Sequence, residues 1–444
     1  MSDYMFMLEN HLGADQARTV SLVQSAATEA GVGLFLAGGA MRDMLGGFPI
    51  RDLDFTVEGD AIKLAKTAAQ RSGARIVSTD EPRKSVELMF PGDVAASIGM
   101  ARQERYSKPA GRPNITPATI HEDLRSRDFT VNSIALSLNR ASLGLLLDPN
   151  NGLADLERKE LRVISSYTLY DDPARLLRLI RFKVRLGFTI EERTRSQYDN
   201  ARLAEMESHI PTKALLRELC RIADEPDPGL VVQALDEEKL MTLFSPALCG
   251  PKLNLGGLAK LLKAKQMIPF GADLRLENLG LFLYFLAEKL TPKEKAALVE
   301  KCGLGAREVE LWQKLESRSR KLDRELKSAK FQKASRIYQA LSHVPGDQIL
   351  FLLLRSSQRL VQDRIKNFLQ KHLPAAMEIT DRDVIAAGVE PGTPKFQKAK
   401  DELIATRLDA RPRKIEPPPE PVEPPPPPPG PPSRFRGQAT QPRN

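Results

Sequence analysis

The stretch from Leu34 to Val57, LFLAGGAMRDMLGGFPIRDLDFTV, constrains the fold more than any other part of this 444-residue chain. An apolar run, Leu34, Phe35 and Leu36, meets the pair Gly38-Gly39 and then a short helix-like segment carrying Arg42 and Asp43. After a turn at Gly46, Gly47 and Pro49, the residues Leu53, Phe55 and Val57 alternate with polar neighbours, the pattern of a half-buried strand. Side chains two apart on a strand share a face, so Asp52 and Asp54 are expected side by side. Two close carboxylates repel each other, and a fold that holds them together usually supplies a counter-charge. The commonest is a divalent cation with oxygen ligands, such as Mg2+. Gly38 and Gly39 leave backbone N–H groups free to approach phosphates, with a helix start behind them that favours negative charge. Alone, an Asp-x-Asp is more often a solvated pair and a Gly-Gly only a tight turn. In this order and this close together, they describe a nucleotide triphosphate site.

The chain is long enough for two to four domains with real cores. No run of 18 or more apolar residues occurs, so no membrane span and no membrane partner are expected. The start, MSDYMFMLENHLG, has early acidic residues and no basic segment before an apolar core, which does not read as a signal peptide. Cys220, Cys249 and Cys302 are few and widely spaced, which argues for a reducing, cytoplasmic setting without a disulfide framework or zinc knuckle. The net charge of +9 is concentrated in helical stripes after position 170, and nucleic acid is the favoured partner.

In chain order, a helix is expected over about 14–31 and another over 61–73. Short strands follow at Arg75–Ser78, Ser85–Phe90 and Val94–Ala101. The polar stretch Tyr106–Pro117 has the composition of a mobile active-site loop. In HEDLRSRDFTVNSIALSLN (121–139), Thr119 and Glu122 form a capping box. The polar residues Arg127, Asp128 and Asn132 either belong to that charged helix start or bind ribose and phosphates. At DDPARLLRLIRFKVRLGF (171–188) the character changes to a helix, with Asp172 and Pro173 as its start. Arg175, Arg178, Arg181 and Arg185 fall on one side of it and the leucines mostly on the other. The plain account is a cap and a solvated arginine face. The functional one pairs Asp172 and Arg175 as acceptor and donor beside a nucleobase. From Thr189 to about Asp409 the pattern is almost wholly helical. The run 347–372 reads as one buried helix, and Trp312 as core. The proline-rich segment 411–444 has no core-forming capacity and is expected to be extended or disordered.

Three stretches in order, LAGGAMRD…RDLDFTVEGD, EDLRSRDFTVNSIAL and DDPARLLRLIRF, resemble the bacterial tRNA nucleotidyltransferases, the CCA-adding and A-adding enzymes, which share a head domain with bacterial poly(A) polymerases. The likeness is strong over about 30–190 and moderate over 379–410. It implies an α+β fold, a small mixed-sheet nucleotidyltransferase head followed by all-helical neck, body and tail domains. The corresponding boundaries are 1–165, 166–225, 226–375 and 376–410, with 411–444 as a disordered tail. It also implies that Asp52 and Asp54 bind two catalytic Mg2+ ions, and that Gly38, Gly39, Arg42 and Asp43 form the phosphate-site motif. Arg127, Asp128 and Asn132 would hold sugar and phosphates. Asp172 and Arg175 would read the base, with Arg178 and Arg181 nearby.

The implied activity is addition of CCA to the 3′ end of tRNA from CTP and ATP without a nucleic-acid template. Its enzymatic alternatives are A addition alone, with a separate enzyme supplying CC, and poly(A) polymerase activity. The polymerase branch is expected to carry a basic Arg-Arg-Phe-Arg segment after the first motif, which this chain lacks. There are three departures from the family pattern. Ser97 stands where relatives usually have a carboxylate, Ser126-Arg127 replaces a doubled arginine, and Asp171-Asp172 replaces a Glu-Asp pair. Ser97 raises a non-enzymatic alternative, a tRNA-binding protein that has lost transferase activity.

Overall fold

The chain is described by a computed structural model that covers residues 3–410 apart from 273; the proline-rich segment 411–444 lies outside the described residues. Its organising element is a mixed seven-stranded sheet. In chain order the head strands are β1 (Gly33–Ala37), β2 (Leu53–Glu58), β3 (Arg75–Asp80), β4 (Ser85–Phe90), β5 (Val94–Met100), β6 (Arg102–Arg105), β7 (Asn114–Pro117), β8 (Ala135–Ser137) and β9 (Leu146–Leu147). The sheet order is β3-β4-β5-β2-β1-β8-β9, while β6 and β7 form a separate antiparallel pair. β2 lies antiparallel to β1, with Leu34 opposite Val57, and parallel to β5, with Asp54 opposite Ser97.

The alternation along β2 decides what each face does. Leu53, Phe55 and Val57 are buried and share one core with Val20 and Val23 of the Ala14–Ala30 helix and with Leu64 and Ala68 of the Ala61–Ser72 helix. Burying a side chain such as Phe55 contributes about 1.5–3 kcal/mol. Asp54, displaced by one residue, is thereby turned to the opposite face of the sheet. The hydrophobic pattern that fixes register also aims the carboxylate.

The remainder is mostly helical. The Ala174–Leu186 helix buries Leu176, Leu177, Leu179 and Ile180 and starts one residue later than expected. Pro173 holds its cap position, and Asp172 stands just outside, where its carboxylate accepts from the Ala174 N–H at 3.2 Å. The segment after 165 is not purely helical: Thr189–Ile190 is a short strand parallel to Glu160–Leu161. The run 347–372 is not one helix either. It breaks after Arg355 into Gly346–Arg355, Arg359–Asn367 and a π turn at Phe368–His372. The stretch read as a loop over 106–117 ends as β7, so the loop itself is 106–113, and its Ala110 N–H donates to the Tyr170 carbonyl at 2.8 Å. Trp312 is buried, as its apolar setting implies.

Met1–Glu378 forms one compact unit, and the chain from Ile379 a second. In the second, Thr380 and Asp383 make a capping box on the Asp381–Ala386 helix. Lys400, on the Pro394–Asp409 helix, pairs with Asp381 at 2.7 Å. No helix among the described residues is long and apolar enough to cross a membrane.

Candidate active site

The chain leaves β1 at Gly38, whose φ of 64° and ψ of −126° suit only a residue without a Cβ. A Cβ there would lie 2.9 Å from Arg127 Nη1, and one on Gly39 would lie 3.0 Å from Asp54 Oδ2. Backbone and carboxylate are therefore packed together, and the Gly39 N–H donates to Asp54 Oδ2 at 3.1 Å. That donor, expected to face a phosphate, is held by protein here. Gly38→Ala is expected to cost about 1–3 kcal/mol of folding stability through backbone strain. Urea unfolding would measure it, and an unchanged midpoint would contradict the strained geometry.

Asp54 is part-buried; its Oδ1 accepts from the Ser97 hydroxyl at 2.9 Å. Burial pushes its carboxyl above the ordinary range and the Asp52 charge adds to this, while Ser97, Arg127 and Arg221 only partly oppose it. The structure thus keeps two acidic groups close without fully neutralising them. Ser97 takes the register position opposite Asp54 and supplies a donor in place of a further charge. Asp52 lies at the cleft mouth, its Oδ2 3.3 Å from Arg221 Nη1.

The other residues singled out by sequence fall into three groups. Arg127, behind Gly38, donates to Asp123, to the Asn132 carbonyl and to Thr56 Oγ1. Arg42, Asp43, Asn132, Asp128, Arg178 and Arg181 belong to a closed circuit of polar links. Arg42 donates to Asn132 Oδ1 at 2.8 Å, and Asn132 to Asp128 at 3.0 Å. Arg178 bridges Asp128 at 2.7 Å and Glu218 at 3.1 Å. Arg181 bridges Glu218 at 3.1 Å and Glu225 at 2.7 Å. Arg185 lies 3.8 Å from Glu225 and donates to Asp43 at 2.7 Å, and Asp43 accepts from Arg42 at 2.7 Å. Burial opposes the Asp128 and Glu218 charges, but Arg178 outweighs it with Arg175 at Asp128 and with Arg181 at Glu218, so both carboxyls lie below the usual range. The arginine stripe is therefore not a solvated face. Its charges are matched inside the protein.

Asp172 and Arg175 form the third group. Asp172 Oδ2 is 3.8 Å from Arg175 Nε, too far for a hydrogen bond. Arg175 Nη1 donates to the Thr168 carbonyl at 3.2 Å, but its buried Nε has no hydrogen-bond partner among the described residues. An orphaned buried donor is costly, and a ligand acceptor would relieve it.

One cleft is lined by Gly39, Arg42, Asp43, Asp52, Asp54 and Arg181 together with Arg51, Arg185, Arg221, Asp224 and Glu225. Gly38, Arg127, Asp128, Asn132, Asp172, Arg175 and Arg178 do not line it; several reach it through the circuit. The sequence reading missed Glu218, Arg221, Asp224 and Glu225 as site residues. One signal was present: Glu218 interrupts the apolar stripe Leu215, Leu219, Ile222, where a carboxylate needs a buried partner.

Residues 34–162 match the Poly A polymerase head domain. The chain is 29% identical over 341 residues to an A-adding tRNA nucleotidyltransferase of Aquifex aeolicus, covering 76% of this chain and 40% of that protein. It is 36% identical over 203 residues to a CC-adding tRNA nucleotidyltransferase of Deinococcus radiodurans, covering 46% and 53% respectively. The chain thus spans about half, or less, of the length of these relatives. A solved tRNA nucleotidyltransferase complexed with a primer tRNA and an incoming ATP analog aligns over 79% of this chain and 98% of its own, with 27% identity and a TM-score of 0.50. The mixed-sheet head followed by a mostly helical remainder is the fold this chain shares with that solved structure.

Proposed function

Because residues 34–162 match the Poly A polymerase head domain in a chain similar to A-adding and CC-adding tRNA nucleotidyltransferases, we propose that this protein extends the 3′ end of tRNA with C and A residues from CTP and ATP, releasing pyrophosphate. The observation that carries the reading is the Asp52/Asp54 pair lining one cleft, with Asp54 held above its ordinary pKa by burial and by its neighbour. The working map is a head over 1–165, a neck over 166–225, a body over 226–375 and a tail over 376–410 that binds tRNA. The proposed location is the cytoplasm.

The donor set fits Mg2+. Two carboxylates on one side of a cleft are what Mg2+ takes from protein, the rest of its shell being phosphate oxygens and water. Asp52 and Asp54 would hold two ions, which when bound supply a more acidic 3′-hydroxyl and charge neutralisation on the pyrophosphate. The chain's own residues do the remaining work. Ser97 and the Gly39 N–H fix the rotamer of Asp54. Gly38, Gly39, Arg42 and Asp43 shape the triphosphate wall. Arg127, Asp128 and Asn132 set the sugar and phosphate side, with Arg178 and Arg181 holding that side rigid. Asp172 accepts from an exocyclic amino group, and Arg175 donates its free Nε–H to a ring nitrogen or carbonyl.

Addition of A alone, after a separate enzyme has supplied CC, is the second reading, favoured by the A-adding name of the Aquifex aeolicus relative. Purified protein with Mg2+ and tRNA ending before CCA, after C or after CC separates the two when each labelled nucleotide is supplied singly and together. Incorporation at all three ends supports CCA addition, and labelling by ATP of the CC end alone supports A addition. Long A tails on unrelated RNA would assign it to poly(A) polymerase. Binding without incorporation would leave a tRNA-binding protein. In the same assay Asp172→Ala is expected to shift the CTP/ATP preference or weaken both by about tenfold, the loss of one charged hydrogen bond. Unchanged nucleotide use would remove Asp172 from base reading.

A further inference from the structure

The closed circuit around the cleft is electrically balanced. Arg42, Arg178, Arg181 and Arg185 alternate with Asp43, Asp128, Glu218 and Glu225, with Asn132 as a neutral spacer. Its arginines are committed to fixed partners. Arg221 stands outside it, at the end of the Thr212–Ala223 helix, and its ion pair is with Asp52 at 3.3 Å. Half of the Arg221 side chain and 42% of that of Asp52 are open to solvent. The helix itself is fastened elsewhere, through Glu218 to Arg178 and Arg181. The Arg221 tip can thus change partner while its helix stays in place.

Resting on the transferase reading above, we propose that Arg221 is the resident counter-ion of the Asp52/Asp54 pair in the nucleotide-free protein, and that a divalent cation displaces it from Asp52. A guanidinium and a metal ion compete for the same carboxylate oxygen, so occupancy by one lowers affinity for the other. The exchange is easy because a half-exposed ion pair is a weak one. The charges of Asp54, Glu87 and Asp224 also act on the guanidinium. Although crowding by protein works against its charge, these carboxylates together with Asp52 hold its pKa above the ordinary arginine value. Asp224 lies three residues on in the chain, within reach of a long flexible side chain, and is the carboxylate to which Arg221 turns when released. Empty, the site keeps its carboxylates partly compensated; loaded, it places the arginine at the cleft mouth.

The test reads metal binding rather than turnover. Full-length, nucleotide-free protein is titrated with Mn2+, and free ion is followed by electron paramagnetic resonance. Arg221→Gln and Arg221→Met are expected to bind Mn2+ about tenfold more tightly than the unaltered protein. Arg221→Lys, which keeps the charge, is expected to stay within about twofold. Adding Asp52→Asn to either neutral variant should abolish the gain. Unfolding midpoints by circular dichroism identify any variant that fails to fold, and the second neutral variant then carries the comparison. Unchanged or weaker Mn2+ affinity in a folded neutral variant overturns the proposal, as does a gain that survives Asp52→Asn. The gain in a protein that adds no nucleotide would leave the counter-ion in place and remove the transferase reading; full activity with unchanged Mn2+ affinity would do the reverse.

Discussion

Asp54→Ala is expected to lower nucleotide incorporation at the tRNA 3′ end by about a thousandfold or more, the equivalent of several kcal/mol of transition-state stabilisation. The same substitution is expected not to destabilise the fold, and this pairing gives the prediction its force. Asp54 is an acid whose folded pKa is raised, by burial first and by Asp52 second. A group of that kind favours the folded state while protonated and disfavours it once ionised. Its unfavourable contribution grows as pH rises from the unfolded pKa of 3.8 and is complete once pH has passed the raised folded value. Removing the carboxylate, most cleanly as Asp54→Asn, therefore leaves thermal stability at pH 7 unchanged or higher. An inactive variant that melts at or above the original temperature is the signature of strain kept for function. Full activity in either variant would take Asp54 out of the chemistry.

The second large effect is on folding. Glu218→Ala removes the carboxylate that receives Arg178 at 3.1 Å and Arg181 at 3.1 Å. Losing one member of a buried charge group costs about 3–5 kcal/mol, because the partners stay buried with their charge uncompensated. Here each arginine keeps a second acceptor, Asp128 for Arg178 and Glu225 for Arg181, so about 3 kcal/mol is expected. Glu218→Gln, which retains a hydrogen-bond acceptor, should lose less. Denaturant unfolding measures both, and a loss below about 1 kcal/mol for the alanine variant would show the site to be wetter than its burial implies. The acid side follows the opposite sign from Asp54. Glu218 has a lowered pKa, so its stabilisation is present above the unfolded value of 4.5 and disappears as pH falls through the folded one.

Much of the head was legible because its signals are local. Alternation in Leu53, Phe55 and Val57 gave the strand, its buried face and the direction of Asp54 together. The runs Arg75–Ser78, Ser85–Phe90 and Val94–Ala101 became three adjacent strands, and Thr119 with Glu122 made the capping box. What escaped lies far apart in the chain. Arg181 meets Glu225 from 44 residues away and Arg221 meets Asp52 from 169, and no periodicity marks such pairs. The arginines therefore read as a wet face, although their partners bury them. The run 347–372 misled for another reason. Its hydrophobicity continues past Arg355, but the backbone turns at 356–358, where Ser356 bonds to Asp323 instead of continuing the helix. Composition alone cannot separate one long buried helix from two short ones that pack together.

The circuit that joins Arg42 to Arg178 and returns through Arg185 and Asp43 is a loop, and a loop fails differently from a chain. A single cut leaves every member still connected to the rest by the other route, and only a second cut sets a piece free. The first substitution in it costs what the missing charge costs, and the second, whichever residue it removes, also sets a piece free. Double variants are therefore expected to lose more stability than the sum of their single changes, and that excess, rather than one critical residue, is the mark of a closed loop.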